Sequence, residues 1–160
     1  MILGIILLVF LMLCGICYFL FFKEYSLVMG NFETLLKVIE ARDLILMRLL
    51  PEIKSKDVKE KMTKLVSERM NAKKLGNDKL IETDVEINKN LDQVYSELNK
   101  TKNPIVKEEL RRAVNLEQKL KVIRREYNKA VEAYNQKLVK HPKSMIKFWR
   151  MKPLNTYSIK

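Results

Sequence analysis

The first 22 residues, Met1 to Phe22, carry no charged side chain and no proline, and no other stretch constrains the fold so tightly. A helix over that run rises about 33 Å, enough to cross the roughly 30 Å hydrocarbon layer of a bilayer. The rival reading is a cleaved leader, which needs a basic start, a shorter apolar core and a small-x-small cleavage site. The chain instead begins Met1-Ile2-Leu3 and carries Phe19, Leu20, Phe21 and Phe22 where such a site would fall. Leu13, not a small residue, precedes Cys14, so a lipoprotein signal fits poorly as well. The run is therefore expected to be an uncleaved membrane helix. Lys23 and Lys37 follow it and no charged side chain precedes it. Since Lys and Arg are retained on the cytoplasmic side, the expected orientation is N-terminus outside and C-terminal domain in the cytoplasm. Cys14-Gly15-Ile16-Cys17 has the spacing of redox sites, but a thiolate is costly inside an apolar span. The pair reads as two small hydrophobes.

Everything beyond the run is different in kind. It holds all 31 Lys and Arg and all 19 Asp and Glu, a formal charge of +12. Its length suits one domain. Such an excess points to anionic partners, either lipid headgroups or nucleic acid.

Four glycines and four prolines in 160 residues leave room for long helices. From Lys23 the apolar residues thin to a stripe: Val28, Phe32, Leu35, Ile39, Leu46, Leu49 and Ile53. Steps alternating between four and three mark one buried helix face. The membrane helix is thus expected to run on into the domain, with Gly30 the one place to bend and Pro51 the end. A second helix is expected from Ser55–Asp57 to a C-cap at Leu75-Gly76-Asn77, a third from Lys79 to Lys100, and a fourth from Ile105 to Lys140. The fourth shows Val106, Leu110, Ala113, Leu120, Tyr127, Val131, Tyr134 and Leu138 in register. The fold class is all-α: an N-terminal transmembrane helix continuous with an elongated antiparallel bundle of three to four long helices. The segments are 1–22 for the membrane helix, 23–140 for the bundle and 141–160 for a basic, aromatic tail.

Carrying the stripe of the fourth helix through its gap places Glu117 and Arg124 on the seam, and Arg42 falls in the matching gap of the first helix. Charges on a packing seam cost several kcal/mol each unless paired. Two readings stand side by side. The heads lie at the seam's edge in water, or Glu117 pairs with Arg42 or Arg124 in a buried layer that fixes helix register.

The stretch Glu117-Gln-Lys-Leu-Lys-Val-Ile-Arg124-Arg125-Glu-Tyr127-Asn128-Lys-Ala-Val131-Glu-Ala-Tyr134-Asn135, with Pro142 and Tyr157 beyond it, resembles the C-terminal signature of the LemA family of bacterial membrane proteins. A glutamate stands seven and eight residues before an arginine pair, two Tyr-Asn pairs follow seven apart, and a proline comes soon after. Asp43-Leu44-Ile45 and the apolar N-terminus also resemble the family, although Leu46 stands where a proline is usual and Glu40-Ala41 replace a basic pair. The resemblance covers about a quarter of the chain and is weak between Ile53 and Asn115. It implies one membrane helix, a cytoplasmic antiparallel helical bundle and no established enzymatic activity.

Tyr127 and Tyr134 fall two turns apart on the seam, where rings can be buried while hydroxyls reach a partner. Asn128 and Asn135 flank them and are expected to bond a neighbouring helix, forming a pairing ladder. A ligand site is the sharper alternative, but four residues along one line rarely enclose a pocket.

No catalytic site is expected. His141 stands alone, and a metal needs three or four converging ligands. Gly76 stands alone too, so no phosphate-binding glycine loop is present, and no nucleophile has a base beside it. No cofactor and no metal are expected, and the chain reads as a non-enzyme. The tail differs: from Lys137 to Lys160 there are seven Lys or Arg and no acid, interleaved with Met145, Ile146, Phe148, Trp149, Met151 and Tyr157. That composition suits an anionic membrane surface, with Lys143, Lys147, Trp149, Arg150 and Lys152 as the contact residues. A solvated tail capping the bundle is the bland reading. Nucleic acid is the less favoured partner, because Lys outnumbers Arg and no groove-reading motif is visible. The expectation is a scaffolding or protein-interaction role for the bundle, with the lipid bilayer as partner and its protein partner and oligomeric state unassigned. The alternative is a membrane-tethered binder of nucleic acid or another polyanion.

Overall fold

The architecture comes from a computed structural model, which describes residues 2–71, 77–140, 146 and 151–157. The chain is all-α. Among the described residues four helices follow in order, α1 (Ile2–Leu49), α2 (Lys56–Asn71), α3 (Asn77–Leu98) and α4 (Pro104–Lys140), with a 3-10 turn at Leu50–Glu52 after α1. No strand occurs among the described residues.

Local chemistry sets each boundary. α1 runs through Gly30 without a break in its helical assignment. Pro51 has no N–H to continue an α-helix, so the chain tightens into the 3-10 turn. The Ile53 N–H then donates to the Leu50 carbonyl at 3.2 Å and the backbone leaves in an extended conformation. Ser55 precedes α2 and its hydroxyl accepts from the Val58 N–H at 3.5 Å, a long N-cap bond. α3 starts at Asn77 and ends at Leu98, two residues earlier at each end than the apolar pattern suggests. Asn77, expected as part of a C-cap, opens α3 instead; Leu75 and Gly76 lie outside the described residues. The start of α4 is built by Asn103, whose side chain accepts from the Ile105 N–H at 3.0 Å. Pro104 takes the first helical position, where its missing N–H costs nothing.

The chain divides into two compact units, each discontinuous in sequence. One comprises Met1–Glu33 and Arg125–Thr156. Here α1 and α4 pair antiparallel. Phe32 lies against Tyr127 with ring centroids 5.7 Å apart, Tyr25 against Tyr134 at 6.0 Å, and Lys137 donates to Glu24 at 2.6 Å. Residue numbers climb on one helix as they fall on the other. Phe21, Val28, Val131 and Leu138 complete the buried face.

The other unit comprises Thr34–Arg124 and Tyr157–Lys160. Its apolar core draws on all four helices, with Leu46 and Leu49 from α1, Met62 and Val66 from α2, Ile87 and Val94 from α3, and Val106 and Leu110 from α4. Every one of those positions falls on a three-or-four-residue stripe, which is what buries one face of each helix.

Candidate functional site: a buried charge layer

Within the second unit the apolar stripes are interrupted by six ionisable side chains. Arg42, Asp43, Arg69 and Asp84 are at most 1% exposed, Arg124 is 5% exposed, and the Glu117 side chain 13%. α1 supplies Arg42 and Asp43, α2 supplies Arg69, α3 supplies Asp84, and α4 supplies Glu117 and Arg124. Each helix therefore contributes at least one charge to the layer.

Asp84 is the node. Its Oδ1 accepts from Arg42 Nη2, and its Oδ2 accepts from Arg124 Nη2 at 3.0 Å and from Asn88 Nδ2 at 3.2 Å. Arg42 spreads its fork over three acids, donating also to Glu117 Oε1 at 2.9 Å and to Asp43 Oδ1 at 2.8 Å. Arg124 closes the circuit by donating to Glu117 Oε2 at 3.4 Å. Its guanidinium carbon stands 4.9 Å from the centre of the Tyr157 ring, and the Tyr157 hydroxyl accepts from Asn88 at 3.3 Å. Two planar arginines suit this arrangement because each presents several donors in a fixed fork.

The electrostatics follow from burial. Desolvation alone would lower the Arg42 pKa, but Asp84, Asp43 and Glu117 together outweigh it and raise the value, so the guanidinium stays charged. Asp43 is raised by burial, against the opposing pull of Arg42 and Arg69. The contact between Arg69 Nε and Asp43 Oδ2 is 3.9 Å, too long for a hydrogen bond, and both atoms are buried without such a partner. A cavity of about 250 Å³ lined by Glu40, Asp43, Leu44, Arg69 and Met70 lies beside them.

Arg42, Glu117 and Arg124, singled out by the seam argument, are thus brought together by the fold. Asp43, Arg69 and Asp84 were not singled out, although the signal was the same. Continuing the stripe of α3 one turn back from Ile87 reaches Asp84, and continuing that of α2 past Val66 reaches Arg69.

The Tyr-Asn residues lie in the first unit and hold the C-terminal segment. Tyr127 and Tyr134 are buried on the seam. The Tyr127 hydroxyl donates to the Asn155 carbonyl at 3.2 Å, and Asn135 exchanges two hydrogen bonds with the Leu154 backbone. Asn128 is half-buried beside them. Asn135 was expected to bond a neighbouring helix; its amide instead takes up the backbone of Leu154, whose peptide groups lie outside any helix. Of the proposed membrane-surface residues, Lys152 is exposed, whereas Lys143, Lys147, Trp149 and Arg150 lie outside the described residues. Among the described residues, no group of three or more His, Cys, Asp or Glu is placed to hold a metal ion.

The six charges neutralise one another and carry no nucleophile. Chemically, such a layer selects helix partners and register: slipping any helix by one turn would strand a buried ion at a cost of several kcal/mol. No protein-family model, curated protein or solved structure matches the chain.

Proposed function

We propose that the chain is a single-pass membrane protein of the LemA type whose helical part serves a structural or protein-interaction role. The observation that carries this reading is the apolar wall of α1, which is long and apolar enough to cross a membrane. Phe10, Leu11, Met12 and Leu13 are 56–64% exposed, and Ile5 to Val9, Ile16, Phe19 and Leu20 stand exposed with them. Soluble monomers rarely present contiguous apolar patches beyond a few hundred Å². A bilayer covers such a surface without a dedicated partner. The charge layer supports the structural side of the reading, since its ions are engaged with one another. The positive residues that follow the span, beginning with Lys23, favour a cytoplasmic C-terminal domain.

Expression of the full chain in bacteria tests both parts. The protein should stay with membranes through alkaline carbonate extraction, and its release into the supernatant would overturn the anchor. With Cys14 and Cys17 changed to serine, a Lys152→Cys variant should react with a membrane-impermeant maleimide only after permeabilisation. Labelling of intact cells would reverse the orientation.

The formal charge of +12 favours one second reading, a tethered polyanion binder. That reading requires retention on DNA that weakens steeply with salt.

A further inference from the structure

The first unit contains a slot that the scaffolding reading leaves unused. Tyr18, Phe22 and Tyr25 of α1, Tyr134 of α4, and Met151, Lys152 and Leu154 of the C-terminal segment line a cavity of about 360 Å³. Its walls are mainly aromatic. Tyr18 and Phe22 stack one turn apart at 6.2 Å between centroids, and Tyr25 leans on Tyr134 at 6.0 Å.

We propose that this slot holds the headgroup end of one anionic phospholipid, with Lys152 pairing the phosphate and the tyrosine and phenylalanine rings covering the glycerol and first methylenes. The inference rests on the membrane reading above.

Three observations commit the slot to this occupant. The first is continuity: Tyr18 and Phe22 belong to the same helix as the exposed apolar wall, beside Phe19 and Leu20. A molecule in the slot therefore meets hydrocarbon on one side. The second is position in the sequence. The apolar run stops at Phe22 and the first charges are Lys23 and Glu24, so these rings fall where a span meets the headgroups, the depth that tyrosine prefers. The third is charge. Of the lysines near the slot, Lys137 is taken up by Glu24 at 2.6 Å, whereas Lys152 is exposed and has no carboxylate partner among the described residues. A cation left over at an aromatic-lined mouth complements a phosphate. Tyr134 adds a phenol hydroxyl to the lining, a hydrogen-bond donor at neutral pH.

One Lys near an anionic surface contributes an amount equivalent to a preference on the order of fivefold. Full-length protein extracted in neutral detergent, mixed with equimolar phosphatidylglycerol and phosphatidylcholine and examined by native mass spectrometry, should retain one phosphatidylglycerol per chain with about that preference. Lys152→Gln, a surface change that leaves the helical circular dichroism intact, should bring the two lipids to parity. Tyr134→Leu should reduce retention of both. Equal retention by the wild type, or an undiminished preference in Lys152→Gln, would overturn the slot. So would Lys152-dependent binding of inorganic phosphate with no lipid retained. Carbonate extraction separates the two inferences: a chain lost from the membrane defeats the anchor, whereas a membrane-resident chain without lipid preference defeats the slot alone.

Discussion

Asn135 and Leu154 hold each other through two reciprocal hydrogen bonds, the side-chain amide donating to the Leu154 carbonyl at 2.8 Å and the Leu154 N–H donating to Asn135 Oδ1 at 3.0 Å. An asparagine used this way imitates a neighbouring strand, satisfying both polar groups of one peptide residue at once. It fixes the place of Leu154 and the residues beside it on α4.

Asn135→Ala should therefore free that segment without unfolding α4. Two neutral hydrogen bonds are worth about 1 kcal/mol each. Hydrogen exchange at the Leu154 amide should accelerate by roughly thirtyfold, while amides in the middle of α4 keep their protection. Equal acceleration at both places would mean that the asparagine supports the helix and not the segment.

Asp84 should be the least replaceable member of the charge layer. Asp84→Ala leaves the Arg42 and Arg124 guanidiniums facing each other with their central acceptor gone, a loss of about 3–5 kcal/mol. Glu117→Gln should be milder, because the Glu117 side chain reaches solvent and the amide still accepts one hydrogen bond. Denaturant titration of the full chain in detergent, followed by circular dichroism, ranks the two; a costlier Glu117 change would place the node elsewhere.

The Tyr95 hydroxyl is buried with no hydrogen-bond partner among the described residues. Tyr95→Phe should therefore stabilise the protein by up to about 1 kcal/mol at neutral pH. Burial, followed by the charge of Glu117, raises the Tyr95 pKa above its ordinary 10.0. For a group raised on folding, the stabilising contribution is fully present below the unfolded value and is lost as pH climbs through the folded one. The advantage of the phenylalanine variant should therefore widen as pH rises past 10.0. A constant difference between pH 8 and 11 would contradict the burial.

Asn103 caps the longest helix outside the apolar run. Asn103→Ala should cost about 1 kcal/mol, and Asn103→Asp should restore most of it, since aspartate offers the same acceptor to the Ile105 N–H. Thermal melts of the three proteins test this order.

The helices were legible because proline and asparagine punctuate them and because buried faces repeat every three or four residues. Pro51 and the Asn103-Pro104 pair mark their turns in plain sight. Arg42, Glu117 and Arg124 were legible because apolar neighbours on both sides define the gaps they fill. Arg69 and Asp84 fill gaps framed in the same way, by Val66 and Ala72 in the sequence and by Leu80 and Ile87 on α3, so they were as legible as the other three. Asp43 was read as part of a family triplet; it lies one residue off the apolar stripe and pairs with Arg42, its neighbour in the chain. The partner of Asn135 was not legible at all. It is a backbone group nineteen residues away, and a backbone group leaves no trace in the amino-acid letters.

Three arginines and three carboxylates make the layer neutral within itself, so the formal charge of +12 resides wholly on the rest of the molecule. Salt screens exposed charges over a Debye length of about 8 Å at physiological ionic strength but reaches buried pairs far less. The two populations of charge should accordingly respond to ionic strength independently. Whatever anionic surface the outer lysines meet can be gained or lost with salt while the helices keep their register, which uncouples adhesion from folding.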